Sequence, residues 1–277
     1  MIKNLVNQFG ISGLTGRLMP LAAVAALLGA ASCQAGVIAS DAAANSPYTV
    51  GSSFSGQNGG TGFGSWSVVN NTGSNFISSA TWGSITPWFD IYNTSNPPGG
   101  DQTTAGRSLN SVLAVGDTLS FDFVLNSLQS GASAGFYLSD SNGSGLFTFY
   151  QQGNSSTAGS IVDASGTSSN VGVGYNYQTV DSVSFTLTSA TGYNFDVNNT
   201  LVKSGTISNS TGGIAGLNFF VNEGGSSSDL QFTNLQVTAP AGAAVPVPAS
   251  FGLLLAGALA GGIGLALRSR IGKRLAE

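Results

Sequence analysis

Three groups of side chains in this 277-residue chain have types and spacings that can do chemistry. The first is aromatic. Trp66, Trp82, Trp88, Phe89 and Tyr92 crowd one short stretch. Exposed rings stack on the C–H faces of pyranose sugars, and Trp82 to Asp90 falls where a loop is expected, so Trp82, Trp88 and the nearby Tyr92 are the candidate sugar platform. The alternative is core packing, the commoner use of such rings. The second group is oxygen-rich. Asp140-Ser-Asn142-Gly-Ser144 sets oxygen-bearing side chains at alternate positions, as calcium-binding loops do. It lacks the glycine-then-glutamate continuation of an EF-hand, and a tight Asp/Asn/Gly turn produces the same pattern. Asn222, Glu223 and Asp229 form a second, equally sparse oxygen set. The third group is the acids themselves, since two carboxylates suffice for glycoside hydrolysis. Asp122 sits between Phe121 and Phe123 and faces away from them, but no spacing in the sequence sets two acids at a hydrolytic separation.

The residues that are missing narrow the chemistry further. There is no histidine, the commonest general base and metal ligand. The single cysteine, Cys33, excludes an intrachain disulfide and a Cys/His zinc site. Nucleophilic triads of the Ser/His or Cys/His kind are therefore absent. The run Gly59-Gly-Thr-Gly62-Phe-Gly64 lacks the lysine and following helix of a phosphate loop and reads as a flexible turn. The expectation is a protein that is not an enzyme and has no cofactor, with calcium at Asp140, Asn142 and Ser144 as the one candidate metal.

The elements that must hold these groups are strands. Leu119, Phe121 and Phe123 alternate with polar residues, and so do Val183, Phe185 and Leu187. Further period-two runs are Ala134–Leu138, Leu146–Tyr150, Tyr193–Val197, Leu217–Val221 and Leu230–Val237. Asn198-Asn199-Thr200 marks a hairpin turn between Tyr193 and Lys203. No amphipathic helix is apparent, and the stretch from Ser46 to Gly100 is less regular. Eight or more short strands with polar turns predict an all-β, antiparallel β-sandwich of jelly-roll type over residues 36–240.

Charge distribution separates this middle from the two ends. Only 7% of residues are charged, far below the roughly 25% of ordinary soluble proteins, and glycine numbers 40. The middle holds two cations, Arg107 and Lys203, against eleven acids, a net of −9. Such a surface repels phosphate backbones, so no nucleic-acid partner is expected. The other cations flank apolar segments. Lys3 and Arg17 precede Leu18–Ala31, and small residues follow up to Cys33 and Ala35. This is the order of a secretory signal peptide over residues 1–35, with Cys33 at −3 and Ala35 at −1 of the cut. Cys33 also permits a lipoprotein reading, although Ala30-Ala31-Ser32 is a poor lipobox. At the other end, Val245-Pro246-Val247-Pro248-Ala249-Ser250 lies in a linker over residues 241–250. An uncharged run, Phe251–Leu267, follows, then a tail over 268–277 carrying Arg268, Arg270, Lys273 and Arg274. Seventeen residues make about 25 Å of helix, the low end for a bilayer span. The basic tail would stay cytoplasmic, and the prolines keep the preceding motif extended.

Proline motif, apolar helix and basic tail together resemble the PEP-CTERM class of sorting signals, in its VPLPA-type variant. Val245, Pro246, Pro248 and Ala249 match that variant, and Val247 stands where it has Leu. The resemblance implies processing by an exosortase-type enzyme in a Gram-negative bacterium that makes extracellular polysaccharide. It further implies anchoring in the inner membrane, followed by display at the cell surface or release into the matrix. Separately, Leu119 to Val237 resembles concanavalin-like jelly rolls at the level of fold, on its strand order and on Asn194-Phe-Asp-Val-Asn-Asn199. Two functions are therefore carried forward: a non-enzymatic surface or matrix protein associated with exopolysaccharide or biofilm, and a lectin-like carbohydrate-binding module. A jelly-roll glycoside hydrolase is a more distant third.

Overall fold

The structure is a computed structural model and describes residues 35–70, 73–93, 102–153, 159–169, 178–208, 212–222 and 228–241. Cys33, Glu223, the motif residues Val245, Pro246, Pro248 and Ala249, the apolar run 251–267 and Arg268, Arg270, Lys273 and Arg274 lie outside them. Ala35 is described and exposed. Among the described residues no helix is long and apolar enough to cross a membrane.

Alternation of apolar and polar residues gives each strand one greasy face, and two sheets bury those faces against each other. The first sheet runs β13 (Thr200–Thr206), β12 (Gly192–Val197), β11 (Asp181–Leu187), β6 (Thr118–Ser127), β15 (Ser228–Thr238), β4 (Trp88–Asn93), β3 (Gly73–Ser78). An eighth strand, β1 (Val37–Asp41), pairs with the C-terminal half of β15, beyond the part that pairs with β4. The second sheet runs β10 (Gly166–Ser169), β9 (Ser160–Asp163), β8 (Gly145–Gln152), β7 (Ser133–Ser139), β14 (Gly216–Asn222), β5 (Gln102–Ser108), β2 (Ser67–Asn70). Every pairing is antiparallel. The expected all-β sandwich is present.

The core is aromatic. Leu119, Phe121 and Phe123 of β6 are buried on one face as their spacing predicts, and Phe185, Phe195, Phe136, Phe147 and Phe149 meet them from neighbouring strands. Phe219 on β14 and Phe232 on β15 stack face to face, 3.8 Å between centroids and 4° between planes, and so join the two sheets. The expected hairpin forms between β12 and β13. Asn198 and Asn199 take φ of 52° and 61°, the left-handed pair that a two-residue hairpin turn requires.

The stretch read as irregular contributes β3 and β4, which form the flank of the first sheet. Before them, residues 42–66 lead from β1 in one sheet to β2 in the other and bury Phe54, Phe63 and Trp66. An ion pair pins this connector. Arg107 on β5 meets Asp41 with neither side chain exposed. The guanidinium also donates to the Gly64 carbonyl and to Asn58 Oδ1, and lies 4.6 Å from the Phe63 ring centre and 4.7 Å from that of Trp66. Asp41 in turn accepts from the Tyr48 hydroxyl at 2.7 Å. Burial, and then the hydrogen bond to Asp41, push the Tyr48 phenol up to about 12, although the Gly59 amide pulls it down.

Candidate functional site

The aromatic candidates divide once they are placed. Along β4, Phe89 and Ile91 join the core, so Trp88, Asp90 and Tyr92 occupy the opposite, outer face of the first sheet. Trp88 is nevertheless 0% exposed, and its indole N–H donates to the Ile85 carbonyl at 3.0 Å. No pyranose can stack on a ring with no accessible surface, so Trp88 is packing. Trp82 sits in a tight turn bridged to Ile85, half-buried, with its indole N–H donated to Gln231 Oε1 at 2.6 Å. Tyr92 is also half-buried and meets Phe76 edge-on at 5.9 Å. Trp66 and Phe89 lie in the core with Phe54 and Phe232. Of the three rings of the expected platform, Trp88 is therefore unavailable for stacking, while Trp82 and Tyr92 keep part of their surface.

Beneath Trp82 the structure assembles a polar chain that no sequence spacing announces. Gln231 on β15 donates from Nε2 to Asp90 Oδ2 at 2.7 Å. Asp90 lies beside Asp229 on the adjacent strand, close enough to hydrogen-bond, and Asp229 Oδ2 accepts from Asn126 Nδ2 at 2.9 Å. Asp90 Oδ1 and Asp229 Oδ1 are buried and receive no donor from any described residue. A proton shared between them would satisfy both. Burial first, and then the neighbouring Asp229 carboxylate, push Asp90 far above the usual carboxylate range, and burial raises Asp229 as well. Both glycoside-hydrolysis geometries need more than about 5 Å between carboxyls. A pair that touches, with Asp90 only 1% exposed, has neither the gap nor the access.

The calcium candidate resolves into a turn. Asp140 follows β7, and its Oδ1 accepts from the backbone amides of Asn142 at 2.8 Å and Ser144 at 2.9 Å. Gly143, at φ 83°, completes the reversal into β8. That carboxylate oxygen stabilises the chain reversal, and Asn142 and Ser144 enter it through their amides. Among the described residues no three His, Cys, Asp or Glu side chains gather for a metal. Of the second oxygen set, Asn222 Nδ2 donates to Ser133 Oγ at 3.3 Å and Asp229 belongs to the acid pair.

A shallow concavity lies on the outer face of the second sheet, away from the candidate rings Trp82, Trp88 and Tyr92. It is a trough of about 660 Å³. Strand register sets a straight row across it: Ser67 on β2, Gly106 on β5, Asn218 on β14, Tyr137 on β7 and Thr148 on β8 are successive cross-strand partners. A second row passes through Val69, Thr104, Phe220, Gly135 and Tyr150. The turn with Asp140 and Ser141 walls one end. Two glycines keep the floor low. A Cβ on Gly106 would fall 2.1 Å from Asn218 Oδ1, and one on Gly216 would fall 2.5 Å from Ser139 Oγ. Over these positions Asn218 and Ser139 lie down and bond to each other at 3.1 Å.

Apart from Asp140 and Arg107, the trough is lined by uncharged groups. The Tyr137 ring leans on Phe220 at 6.2 Å, its hydroxyl has no partner among the described residues, and burial raises its phenol so that it stays a neutral donor. Asn218 keeps one amide proton and its carbonyl oxygen uncommitted. A ring face beside unspent neutral donors and acceptors is the chemistry that holds a hydroxylated, uncharged ligand. Sequence reasoning missed this face because its members are single Ser, Thr, Asn and Tyr residues from five strands. The only sequence signal is that Asn218, Tyr137 and Thr148 are polar partners in alternating runs.

No protein-family model matches the sequence, and no curated protein does. Solved structures match at the level of architecture. A sialidase aligns over 60% of this chain at 12% identity and a TM-score of 0.46, and the chain spans only 17% of that protein. The Caenorhabditis elegans galectin LEC-6 aligns over 53% of this chain and 94% of its own, at 9% identity and a TM-score of 0.36. An endo-β-galactosidase from Clostridium perfringens, described as releasing GlcNAcα1-4Gal, aligns over 61% of this chain and 59% of its own, at 8% identity and 0.44. Likenesses of this order carry no site residue across.

Proposed function

We propose that this is an exported, non-catalytic surface protein that binds polysaccharide along the outer face of its seven-stranded sheet. The observation that carries the reading is the glycine-floored trough, with Tyr137, Asn218 and Ser67 presenting neutral hydrogen-bonding groups in one cross-strand row and Thr104 in the next, across four adjacent strands. The two ends supply its address. A signal peptide directs export, and the Val245–Ala249 motif, apolar run and basic tail hold the chain in the inner membrane for an exosortase-type enzyme. Display or release then places the domain in the exopolysaccharide matrix.

The test is a binding panel with the full-length protein in a polyoxyethylene detergent, which carries no sugar headgroup to compete. Tyr137→Ala and Asn218→Ala each lower the affinity for a bound polysaccharide at least about tenfold, the loss of one or two stacking or hydrogen-bond contacts, while Trp82→Ala leaves it unchanged. Binding that survives both trough substitutions and disappears with Trp82→Ala moves the site to the other sheet and refutes the reading. The address is tested separately. Deleting residues 245–277 converts the protein from membrane-retained to freely periplasmic or secreted, and unchanged fractionation counts against the sorting signal.

A further inference from the structure

We infer that the trough selects uncharged glycans and rejects polymers of uronic acid or of sulfated or phosphorylated sugars. This rests on the reading of the trough as a glycan site and concerns which class of chain it accepts. Arg107 is the one cation in the lining, and its side chain is buried and engaged within the fold. Its Nε donates to the Gly64 carbonyl at 3.1 Å, Nη2 to Asn58 Oδ1 at 2.8 Å and to Gly64 again at 2.7 Å, and Nη1 to Asp41. The guanidinium is covered by the rings of Phe63 and Trp66, and the side chain is 0% exposed. The domain's other cation, Lys203, lies on the opposite sheet, 3.0 Å from Asp163 and 2.7 Å from Ser168 Oγ.

A carboxylate or sulfate entering the trough would therefore lose water and gain no counter-charge, which disfavours the ion strongly where it is fully desolvated. The charge it would meet is the Asp140 carboxylate at the rim, of the same sign. A cationic amino sugar finds little more. Asp140 is a single rim carboxylate, and its Oδ1 already holds the Asn142 and Ser144 amides. The remaining lining offers hydroxyls, the Asn218 side-chain amide, the Tyr137 ring and a few small apolar groups, which suit a neutral polyol.

The experiment titrates the full-length protein, in the same sugar-free detergent, against neutral glucan, galactan and mannan, against alginate and polygalacturonate, and against chitosan. Each is measured at about 20 mM and about 500 mM NaCl, on either side of the range where surface charges are screened. The expected result is binding to at least one neutral polymer, with an affinity that changes less than about twofold with salt, and at least about tenfold weaker binding to the anionic and cationic polymers. Ser141→Lys adds a free cation on the exposed wall without touching the floor, and gains binding to alginate that salt weakens. If the unaltered protein binds alginate or chitosan in preference to neutral polymers, and salt abolishes it, the inference is overturned while the trough remains a glycan site. If no polymer binds under any condition, the glycan reading of the trough falls with it.

Discussion

Replacing Asp90 by Asn tests the shared proton and should make the protein more stable at neutral pH. In the folded chain Asp90 is 1% exposed, pressed against Asp229 on the next strand and roofed by the Trp82–Gln231 hydrogen bond. Ionising both acids there is costlier than keeping one proton. Its folded pKa is raised, to about 9, whereas an unfolded aspartate titrates near 3.9. Below about pH 4 both states hold the proton and no penalty exists. Above it the folded state binds more protons than the unfolded one, so stability falls as pH rises, by about 1.4 kcal/mol per unit for one proton. By pH 7 that amounts to about 4 kcal/mol. An asparagine in this place would accept from Gln231 with its carbonyl and donate to Asp229 with its amide, without taking up a proton. Urea unfolding of the full chain, followed by tryptophan fluorescence at about pH 5, 6, 7 and 8, should give the wild type a clear downward slope and Asp90→Asn a shallower one, the remaining slope coming from the other buried acids. The variant should be the more stable at the alkaline end. Parallel curves for the two proteins across that range would show that no proton is held between Asp90 and Asp229.

Other perturbations have equally definite outcomes. Arg107→Met strands the buried Asp41 carboxylate and should cost about 3–5 kcal/mol in urea unfolding, with Asp41→Asn recovering part of that in the double variant. Phe232→Ala removes half of the face-to-face pair that joins the sheets and should cost about 3–5 kcal/mol by the same assay. Burial alone would raise Asp163, but hydrogen bonds from Ser165, Tyr193 and Lys203 outweigh it and bring it down to about 2. Its contribution is therefore present above the unfolded value and lost as pH falls toward about 2, so Lys203→Met should move the acid-unfolding midpoint upward in a fluorescence titration. Gly106→Ala puts a methyl where Asn218 Oδ1 lies, so it should abolish polysaccharide binding while leaving the far-ultraviolet circular dichroism unchanged.

The strands legible in the sequence are those with one wet face. β6, β11 and β12 each bury mainly one side, so Leu119, Phe121 and Phe123 or Val183, Phe185 and Leu187 stand out against serine and threonine. β4 is obscured because both its faces are covered: Phe89 and Ile91 by the core, Trp88 and Asp90 by the Trp82 turn, which removes the alternation. β5, Gln102-Thr-Thr-Ala-Gly-Arg-Ser, is obscured for the opposite reason, having only Ala105 to mark its inner face. Its inward Arg107 is held by a carboxylate sixty-six positions away, and no local pattern encodes that pairing. The aromatic cluster is visible as composition, but whether a ring packs or faces water depends on which loop closes over it. The trough is a register property. Ser67, Gly106, Asn218 and Tyr137 become neighbours only after four strands, distant in sequence, are aligned.

The scarcity of charge in this chain has a structural counterpart that bears on function. Both cations of the middle segment are neutralised at close range, Arg107 by Asp41 and Lys203 by Asp163. Several of the acids are equally occupied. Asp90 and Asp229 face each other in a buried pair whose acidity is weakened, Asp181 accepts from Asn198, Asp117 caps the Ala114 amide, and Asp122 receives Ser182 and Asn234. A surface that recruited its partner by charge would keep cations or grouped acids free and aimed outward, and would lose its grip as salt rose. Here charge works inside the fold, fixing the connector at residues 42–66 and the β9–β13 contact, while the outer face of the second sheet is left to hydroxyls, amides and rings. Contacts of that kind are short-ranged, directional and individually weak. They add up where a partner meets many of them at once, which is what the proposed binding of an extended, hydroxylated chain along the aligned rows of the seven-stranded sheet requires.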